Sequence, residues 1–332
     1  MDRSSVAATA QATLLFTLVK HVSRFNTAYG KVFQLNRLTL GLMTPLAHDG
    51  KMARFDEAFE QAALADELNF AALWTRDVPL MIPQGSEHSI SALDDPFLWL
   101  AVLANATRTI ALGAAAIVLP LRHPLHVAKA SLTLDRLSAG RFILGLGSGD
   151  RPAEFASFGE DLDARREAFR QRWHVVRSAL SPHAPDRQPL LELTEGYDLM
   201  EAPQARIPMI VVGSARQSVQ WIAAHGDAWA TYHRDETRQQ GRINLWRGAL
   251  AQSAHGAAKP FIQSMQLDLA KSPSAQPEPL ELGMRTGRHA LVDYLRRLKE
   301  LGVGHVLFNL SGGGRPVADV IREMGEEVVP RV

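Results

Sequence analysis

Short apolar segments alternate along the chain with stretches in which apolar residues recur every three or four positions. Eight of the short segments are rich in apolar and β-branched residues, and most of them are uninterrupted by polar residues. Such runs are typical of parallel strands that helices cover. The eight segments are residues 38–43, 70–74, 110–119, 142–147, 209–212, 228–231, 261–269 and 305–310.

The stretches between and after these runs have the apolar spacing of amphipathic helices. They include residues 55–65, 127–137, 169–180, 291–298 and 317–324. Asp95 followed by Pro96 matches the N-cap and the first residue of a helix. Pro124 and Gly140 mark the beginning and the end of the next one. The chain therefore reads as strands and helices in alternation.

Eight strand–helix units of roughly 30–40 residues predict an α/β protein with a (β/α)8 TIM barrel and loop insertions. A doubly wound open sheet is the alternative. Its dinucleotide-binding form carries G-x-G-x-x-G after the first strand, whereas Gly41 is followed here by Leu-Met-Thr. No repeat or linker divides the chain, so we predict an N-terminal extension, residues 1–36, and one barrel domain, residues 37–332. Residues 271–279 predict a long loop after the seventh strand.

The composition fits a folded enzyme-sized domain and excludes several classes of protein. Apolar residues make up 46% and charged residues 21%, which excludes a disordered chain, a fibrous repeat and a charge-rich coiled coil. The formal charge is +1, and no basic run suggests a nucleic-acid partner. There is no cysteine, which excludes disulfides, thiolate metal sites and cysteine nucleophiles. A cytoplasmic location is compatible with this composition.

The N-terminal region contains an apolar run, residues 13–19, that resembles neither a membrane anchor nor a secretion signal. Its seven residues are far fewer than the about 20 that span a bilayer. Lys20, His21 and Arg24 follow it, without a clear small-residue cleavage pattern. We interpret residues 1–30 as a loosely ordered or amphipathic extension and predict a chain that is not embedded in a membrane.

In a barrel of this kind the reacting groups follow the carboxyl ends of the strands. The predicted rim is rich in arginine, hydroxyl groups and glycine, and it lacks both H-E-x-x-H and G-x-S-x-G. It therefore predicts an anionic ligand. The predicted rim residues include Thr44, His48, Arg76, Asp77, Arg122, His123, Ser148, Asp150, Arg151, Glu154, Gly213, Ser214, Arg216, Tyr232, His233, Arg234 and Ser311.

Two glycine-containing segments of the rim are the best candidates to bind a phosphate group, namely residues 145–151 and 212–218. Glycines let backbone N–H groups approach an anion closely, and hydroxyl and guanidinium groups add donors. Glycines at these positions also make tight strand-to-helix turns, so each segment alone has two interpretations. The residues that we assign to the phosphate site are Gly147, Ser148, Gly149, Arg151, Gly213, Ser214, Ala215, Arg216 and Ser218.

The segments 110–124 and 134–142 closely resemble the bacterial luciferase-like flavin monooxygenase family. The match combines the third strand, the His-Pro start of its helix and the exit Leu-Asp-x-Leu-Ser-x-Gly-Arg into the fourth strand. The Leu-Trp end of the second strand and the Gly-Ser turns after the fourth and fifth strands fall in the same register. The resemblance covers about residues 36–332, and residues 148–155 resemble a luciferase-type oxidoreductase branch.

The resemblance implies a barrel that binds FMN, with the isoalloxazine over the third strand and the phosphate between the loops after strands four and five. Family members carry a cis peptide in strand three, which the register places at Ala115–Ala116, so both alanines are assigned to the cofactor. A separate NAD(P)H:flavin reductase would supply reduced FMN. Family members commonly pair through early helices, which predicts a homodimer through residues 55–68 and 97–103.

The chain departs from luciferase at three positions. The histidine that ends strand two in luciferase corresponds to Val78, and the cysteine near the flavin corresponds to Gly147. A phosphate-binding arginine corresponds to Ser148, so Arg151 is the candidate to supply that charge. We therefore do not expect light emission.

His48, Asp77 and His233 are the candidates to replace the missing histidine as an acid or base. Each has a second interpretation. His48 would be an inert surface histidine, Asp77, next to Arg76, would form an ion pair at the rim, and His233 would lie in a solvated loop. Three classes of function remain: an FMN and oxygen-dependent monooxygenase of a small organic substrate, a deazaflavin-dependent hydride-transfer enzyme, and a flavin-binding protein without turnover. The pocket walls are predicted from Met43, Trp74, Trp99, Trp229 and residues 81–93.

Overall fold

The predicted apolar runs all form strands in the computed structural model, which describes residues 24–45, 54–81, 93–253 and 258–332. The strands are β1 (Thr39–Met43), β2 (Ala72–Thr75), β3 (Ala111–Ala114), β4 (Ile117–Val118), β5 (Phe142–Gly147), β6 (Met209–Val212), β7 (Ala228–Tyr232), β8 (Phe261–Leu269), β9 (Glu278–Leu280), β10 (Gly283–Thr286) and β11 (His305–Asn309).

The predicted helical stretches are also present. The helices are α1 (Thr27–Val32), α2 (Phe55–Glu67), α3 (Pro96–Ala106), α4 (Pro124–Leu137), α5 (Pro152–Ser157), α6 (Arg165–Ala179), α7 (Gln188–Leu193), α8 (Val219–His225), α9 (Glu236–Gln252), α10 (Arg288–Leu301) and α11 (Val317–Glu327). Within the parts of the chain that the structure describes, no helix is both long and apolar enough to cross a membrane.

The parallel strands close into an eight-stranded barrel, which confirms the predicted TIM barrel and excludes the open sheet. The order around the barrel is β11-β1-β2-β3-β5-β6-β7-β8, and β8 pairs again with β11. β4 continues the third barrel strand by pairing with β5. The predicted third strand, 110–119, is thus divided at the Ala115–Ala116 peptide bond, which is cis as the resemblance implied.

Two glycines of the barrel strands make room for close contacts, one with the Trp74 side chain and one with the backbone of a neighbouring strand. A Cβ atom added to Gly113 would lie 2.3 Å from the Trp74 ring. One added to Gly145 would lie 2.0 Å from the carbonyl oxygen of Ala114. Interiors are packed too tightly to absorb such overlaps. These two glycines are therefore needed for packing.

A chain of buried hydrogen bonds crosses the barrel interior. The Trp74 Nε1–H donates to His305 Nε2 at 3.0 Å, so the ring proton must sit on Nδ1 and donate to Thr39 Oγ1 at 2.7 Å. The Thr39 hydroxyl in turn donates to the carbonyl of Val32. His305 is fully buried, and burial lowers its pKa from 6.5 to about 3. The imidazole is therefore neutral at ordinary pH.

The buried His305 makes the unfolding free energy depend on pH. Because the pKa is lower in the folded chain, only unfolded molecules take up the proton between pH 6.5 and about 3. The contribution of His305 to the unfolding free energy is therefore fully present above pH 6.5, and it falls by about 1.4 kcal/mol per pH unit below that pH. Urea unfolding at pH 7 and pH 5 should show a loss of about 2 kcal/mol from this residue. If His305→Gln lost the same unfolding free energy between pH 7 and pH 5, the pH dependence would not come from His305.

The segment before β1 is part of the barrel. For residues 24–30, which the structure describes, the interpretation as a loosely ordered or amphipathic extension is therefore wrong. Phe25, Tyr29, Val32 and Phe33 are buried beneath the inner residues of the strands. The Asn26 amide donates to the carbonyl oxygen of Phe142 and to Asp135, both at 2.7 Å. The helix of this segment has only six residues, and it packs against strands that are distant in the sequence. Apolar periodicity therefore did not reveal its burial. The domain boundary at residue 36 stays a prediction.

The predicted loop 271–279 is confirmed over residues 271–277 and ends where β9 begins. β9 starts inside it and pairs antiparallel with β10, which pairs in parallel with the second half of β8. The three residues of β9 are all exposed and include a proline, so they carry no apolar strand pattern. This short hairpin extends one wall of the barrel mouth.

The Leu-Asp-x-Leu-Ser-x-Gly-Arg motif serves the fold. Arg141 donates to the carbonyl oxygens of Ala104, Thr107 and Ile110, which lie at and beyond the end of α3. Carbonyl groups at the end of a helix have no partner within it. Arg141 therefore fixes the turn that leads from α3 into the third barrel strand, far from the barrel mouth.

Candidate functional site

A cavity opens at the carboxyl ends of the barrel strands. It encloses about 640 Å³ of space, part of it open to solvent. Its apolar lining includes Met43, Ala115, Val212, Ala230 and Leu307. Its polar lining includes Arg76, Tyr232, Ser264, Gln266 and Asn309.

The two alanines assigned to the cofactor have different surroundings. Ala115 is half-buried and lines the cavity. Ala116 packs toward the next strand, because a Cβ atom added to Gly147 would lie 3.3 Å from the Ala116 Cβ atom. Of the two alanines, Ala115 is thus the one that lines the cavity.

The loop after β5 is compact around Gly149, which has a positive φ of 69°. A Cβ atom there would lie 2.6 Å from Val118 and 2.9 Å from the Phe155 ring, so glycine is needed at this position. Ser148 is buried beside it. Arg151 pairs with the buried Glu154 at 3.3 Å, and burial raises the pKa of that carboxyl. Arg151 therefore supplies the cation of the loop that follows β5.

The loop after β6 curls through three residues with positive φ, namely Gly213, Ala215 and Arg216. The space around a Cβ atom on Gly213 is open among the described residues. Arg216 is exposed, and its amide donates to Ser214 Oγ at 3.3 Å. Because β5 pairs with β6 at Leu146 and Val211, this loop lies beside the loop after β5. The structure thus brings the two predicted phosphate segments together.

Ser218 has a structural partner. Its hydroxyl oxygen accepts the Trp221 amide at 3.2 Å and caps α8. Gln217 next to it is buried, and its side chain contacts Arg170 and the backbone of Arg166. The hydroxyl of Ser218 is therefore already engaged in stabilising the end of this loop.

Asp77 is held in an ion pair at the rim, but its partner is Arg122 and not Arg76. Arg122 donates to both carboxylate oxygens at 2.8 Å and to Asp95 at 3.0 Å. The Val118 amide also donates to Asp77, and the Asp77 amide donates to the carbonyl oxygen of Ala116. With all these contacts, Asp77 holds the third barrel strand in place.

His233 faces away from the cavity. Its Nδ1 lies within hydrogen-bonding distance of the Tyr294 hydroxyl oxygen, at 3.0 Å, and Gln263 donates to the same hydroxyl at 2.8 Å. Burial lowers the pKa of His233. The preceding residue, Tyr232, lines the cavity together with Ala230 and Thr231 of the same strand.

The remaining predicted residues are distributed as follows. His48 lies outside the described residues, as does most of the predicted wall segment 81–93. Among the four other wall residues, Met43 lines the cavity. Trp74 fills the barrel interior, Trp99 donates to Thr44 at 3.0 Å, and Trp229 donates to the carbonyl oxygen of Gly213 at 2.7 Å. These tryptophans support the mouth rather than form its surface.

Sequence reasoning missed the polar residues of β8 and β11, namely Ser264, Gln266 and Asn309. Ser264 and Gln266 alternate with apolar residues in a strand that the pattern did predict. The signal was available, since polar residues at alternate positions near the carboxyl end of a barrel strand point to its mouth.

Comparisons with known proteins agree with this architecture. Residues 33–275 match the family model described as luciferase-like monooxygenase. The chain is 28% identical over 165 residues to a 4-hydroxyprotoasukamycin monooxygenase of Streptomyces nodosus subsp. asukaensis, covering 49% of this chain and 41% of that protein. It is 29% identical over 206 residues to an F420-dependent hydroxymycolic acid dehydrogenase of Mycobacterium tuberculosis, covering 59% and 53%.

A solved structure resembles the chain over most of its length. It is the oxygenating constituent of 3,6-diketocamphane monooxygenase of Pseudomonas putida, a type II Baeyer-Villiger monooxygenase in complex with FMN. The TM-score is 0.64 at 16% identity, with 89% of this chain and 99% of that one covered. The chain spans about half the length of the two sequence relatives, 41% and 53%. On the family match and the barrel, the chain belongs to the luciferase-like monooxygenases.

Proposed function

We propose that the protein is an FMN-dependent monooxygenase that uses reduced flavin and oxygen on a small organic substrate. The observation that carries this proposal is the lining of the cavity. Among its described lining residues no carboxylate or histidine appears, and Asp77 and His233 are engaged elsewhere. In the proposed reaction the lining side chains bind and orient the substrate, and a bound flavin would supply the oxidation.

Several features of the mouth fit a flavin. Ala115 presents a small side chain to the cavity, and the position of a Cβ atom on Gly213 is open. The neighbouring loops after β5 and β6 would hold the phosphate through backbone N–H groups and Arg151. When bound, the flavin would supply electron transfer and oxygen activation. The apolar residues Met43, Val212 and Leu307 would exclude water from the reacting face.

A deazaflavin is the second candidate cofactor, because one of the relatives is F420-dependent. Titrating the purified protein with FMN and with F420, followed by tryptophan fluorescence, separates the two. We expect tighter binding of FMN, and oxygen uptake when a flavin reductase and NADH supply reduced FMN together with a substrate. Preferential F420 binding would replace the proposal by hydride transfer. FMN binding without oxygen uptake on any substrate would favour a flavin-binding protein.

The phosphate assignment predicts the effect of two arginine substitutions. Arg151→Ala or Arg216→Ala should remove a charge-assisted contact and weaken FMN binding by about ten- to hundredfold. The Kd from flavin titration measures this effect. Arg238→Ala is the control, since Arg238 is exposed on α9 and, among the described residues, its side chain pairs with Asp235 alone. FMN affinity that is unchanged in both test variants would contradict the assignment.

We also propose a homodimer that pairs through α2 and α3. Phe55 is 56% exposed, Leu98 71% and Val102 42%, and Phe55 contacts Trp99 of the neighbouring helix. Exposed apolar side chains on two adjacent helices fit an interface better than isolated ones do. Leu98→Asp combined with Val102→Asp should give a monomer in light scattering at micromolar concentration. A monomeric parent protein would contradict the dimer, and Leu245→Asp, at an exposed site on α9, is the control.

A further inference from the structure

The cavity carries a continuous polar surface on three adjacent strands, which we call the polar patch: Tyr232 of β7, Ser264 and Gln266 of β8, and Asn309 of β11. Tyr232 pairs in register with Ser264, and Gln266 pairs with Asn309. Ser264 and Gln266 are two residues apart and therefore point to the same side of β8. All four line the cavity.

The orientation of Asn309 follows from its neighbours. Its side chain accepts from the Ser311 amide at 3.1 Å and from the Ser311 hydroxyl at 2.7 Å. A backbone amide can only donate, so the atom that faces Ser311 is Oδ1. The Asn309 NH2 group therefore points away from Ser311 and has no partner among the described residues. It is a fixed donor on the cavity side of β11.

The other members of the patch also have unused hydrogen-bonding groups. Within the part of the chain that the structure describes, the side chains of Ser264 and Gln266 and the Tyr232 hydroxyl make no hydrogen bond. Gln263, the neighbouring residue of β8 that points away from the cavity, differs from them because its amide donates to the Tyr294 hydroxyl. A ligand that leaves such groups unpaired is bound less tightly than one that pairs with them.

The patch is uncharged, and apolar residues lie next to it; the charged residue among the described lining of the cavity is Arg76, which follows β2 and lies outside the patch. Leu307 and Ala230 lie beneath it, and Leu282 lies at its edge. Neutral donors and acceptors next to apolar walls fit a molecule with an apolar skeleton and neutral oxygen atoms. A long unbranched chain with one terminal oxygen would leave most of the patch unpaired.

We propose that the polar patch recognises the substrate, and that the substrate is a compact, uncharged molecule with at least two hydroxyl or carbonyl oxygens. One carbonyl oxygen accepts from the Asn309 NH2 group, and a second oxygen pairs with Gln266 or Ser264. This inference rests on the proposed function, because it assigns the patch to the substrate of that site.

Calorimetric titration of the FMN-loaded protein and of the protein without FMN tests the inference with four probes. They are 2-hydroxycyclohexanone, cyclohexanone, cyclohexanecarboxylate and decanal. We expect 2-hydroxycyclohexanone to bind about tenfold more tightly than cyclohexanone, and more tightly than the anion or decanal. Tightest binding of the carboxylate or of decanal would overturn the inference, and so would a lack of binding by every probe.

Matched variants assign the preference to the patch. Asn309→Asp keeps the oxygen that accepts from Ser311 and loses the NH2 donor, so it should abolish the tenfold preference. Gln266→Leu should reduce the preference, whereas Gln263→Leu, the same change on the outer face of β8, should retain it. Equal preference in all three variants would overturn the inference. Ser264→Ala provides a smaller change if Gln266→Leu does not fold.

The same samples separate this inference from the proposed function. A protein that binds FMN but shows no preference among the probes refutes the role of the patch and leaves the flavin assignment intact. A protein that binds neither FMN nor F420 but shows the preference, lost in Asn309→Asp, refutes the flavin assignment and retains the role of the patch.

Discussion

Arg122→Gln is expected to destabilise the protein by about 3 kcal/mol, because it leaves the buried carboxylate of Asp77 without its cation. The Asp77 side chain is only 3% exposed. It also holds the amide of Val118, next to the strand segment that lines the cavity. The loss should therefore weaken FMN binding as well as lower the unfolding free energy. Urea unfolding and flavin titration measure the two effects separately.

Arg288→Gln is the matched control for this prediction. Arg288 pairs with Glu323 between α10 and α11 and is 26% exposed, compared with 27% for Arg122. It should lower stability without changing the FMN affinity of the folded protein. In the double variant Asp77→Asn with Arg122→Gln, part of the lost stability should return, since no carboxylate is left unpaired. A double variant as unstable as the sum of the single ones would show that the two residues act independently.

Ala115→Leu is expected to weaken FMN binding by up to about a hundredfold while the protein without flavin melts near the parent temperature. Ala115 lines the cavity, so added methylenes enter the space that a flat ring system would occupy. Overpacking of this kind typically costs about 1–3 kcal/mol, and here the cost falls on the complex. Flavin titration and thermal melting of the flavin-free protein together measure the effect.

Ala114→Leu is the opposite case on the same strand. Ala114 is fully buried in the layer between the barrel and its helices. Added volume there should lower the melting temperature, while the protein that remains folded binds FMN normally. If Ala115→Leu behaved like Ala114→Leu, the alanine would belong to the core and not to the cofactor site. The flavin assignment would then depend on the two loops after β5 and β6.

The position of the site at the barrel mouth could be predicted from the sequence, but the partners of individual side chains could not. The order of strands and helices places Asp77 and His233 just after strands, which made both of them candidates. The alternation of side chains then turns His233 toward Tyr294, and Arg122, 45 residues further along the chain, captures Asp77. Contacts between residues so far apart in the chain have no local signature.

Local patterns alone determined the eight strands and the barrel, because buried parallel strands and covering helices impose apolar periodicities that are visible residue by residue. The family followed from the resemblance of residues 110–124 and 134–142 to its members. The tertiary structure alone decided which polar residues face the cavity and which are engaged elsewhere. It also showed that Tyr29 and Val32 close the bottom of the barrel and that Asn309 presents a fixed donor at the top. The physical reason is that a polar side chain acquires its role from its partners, and barrel closure brings those partners from distant parts of the chain.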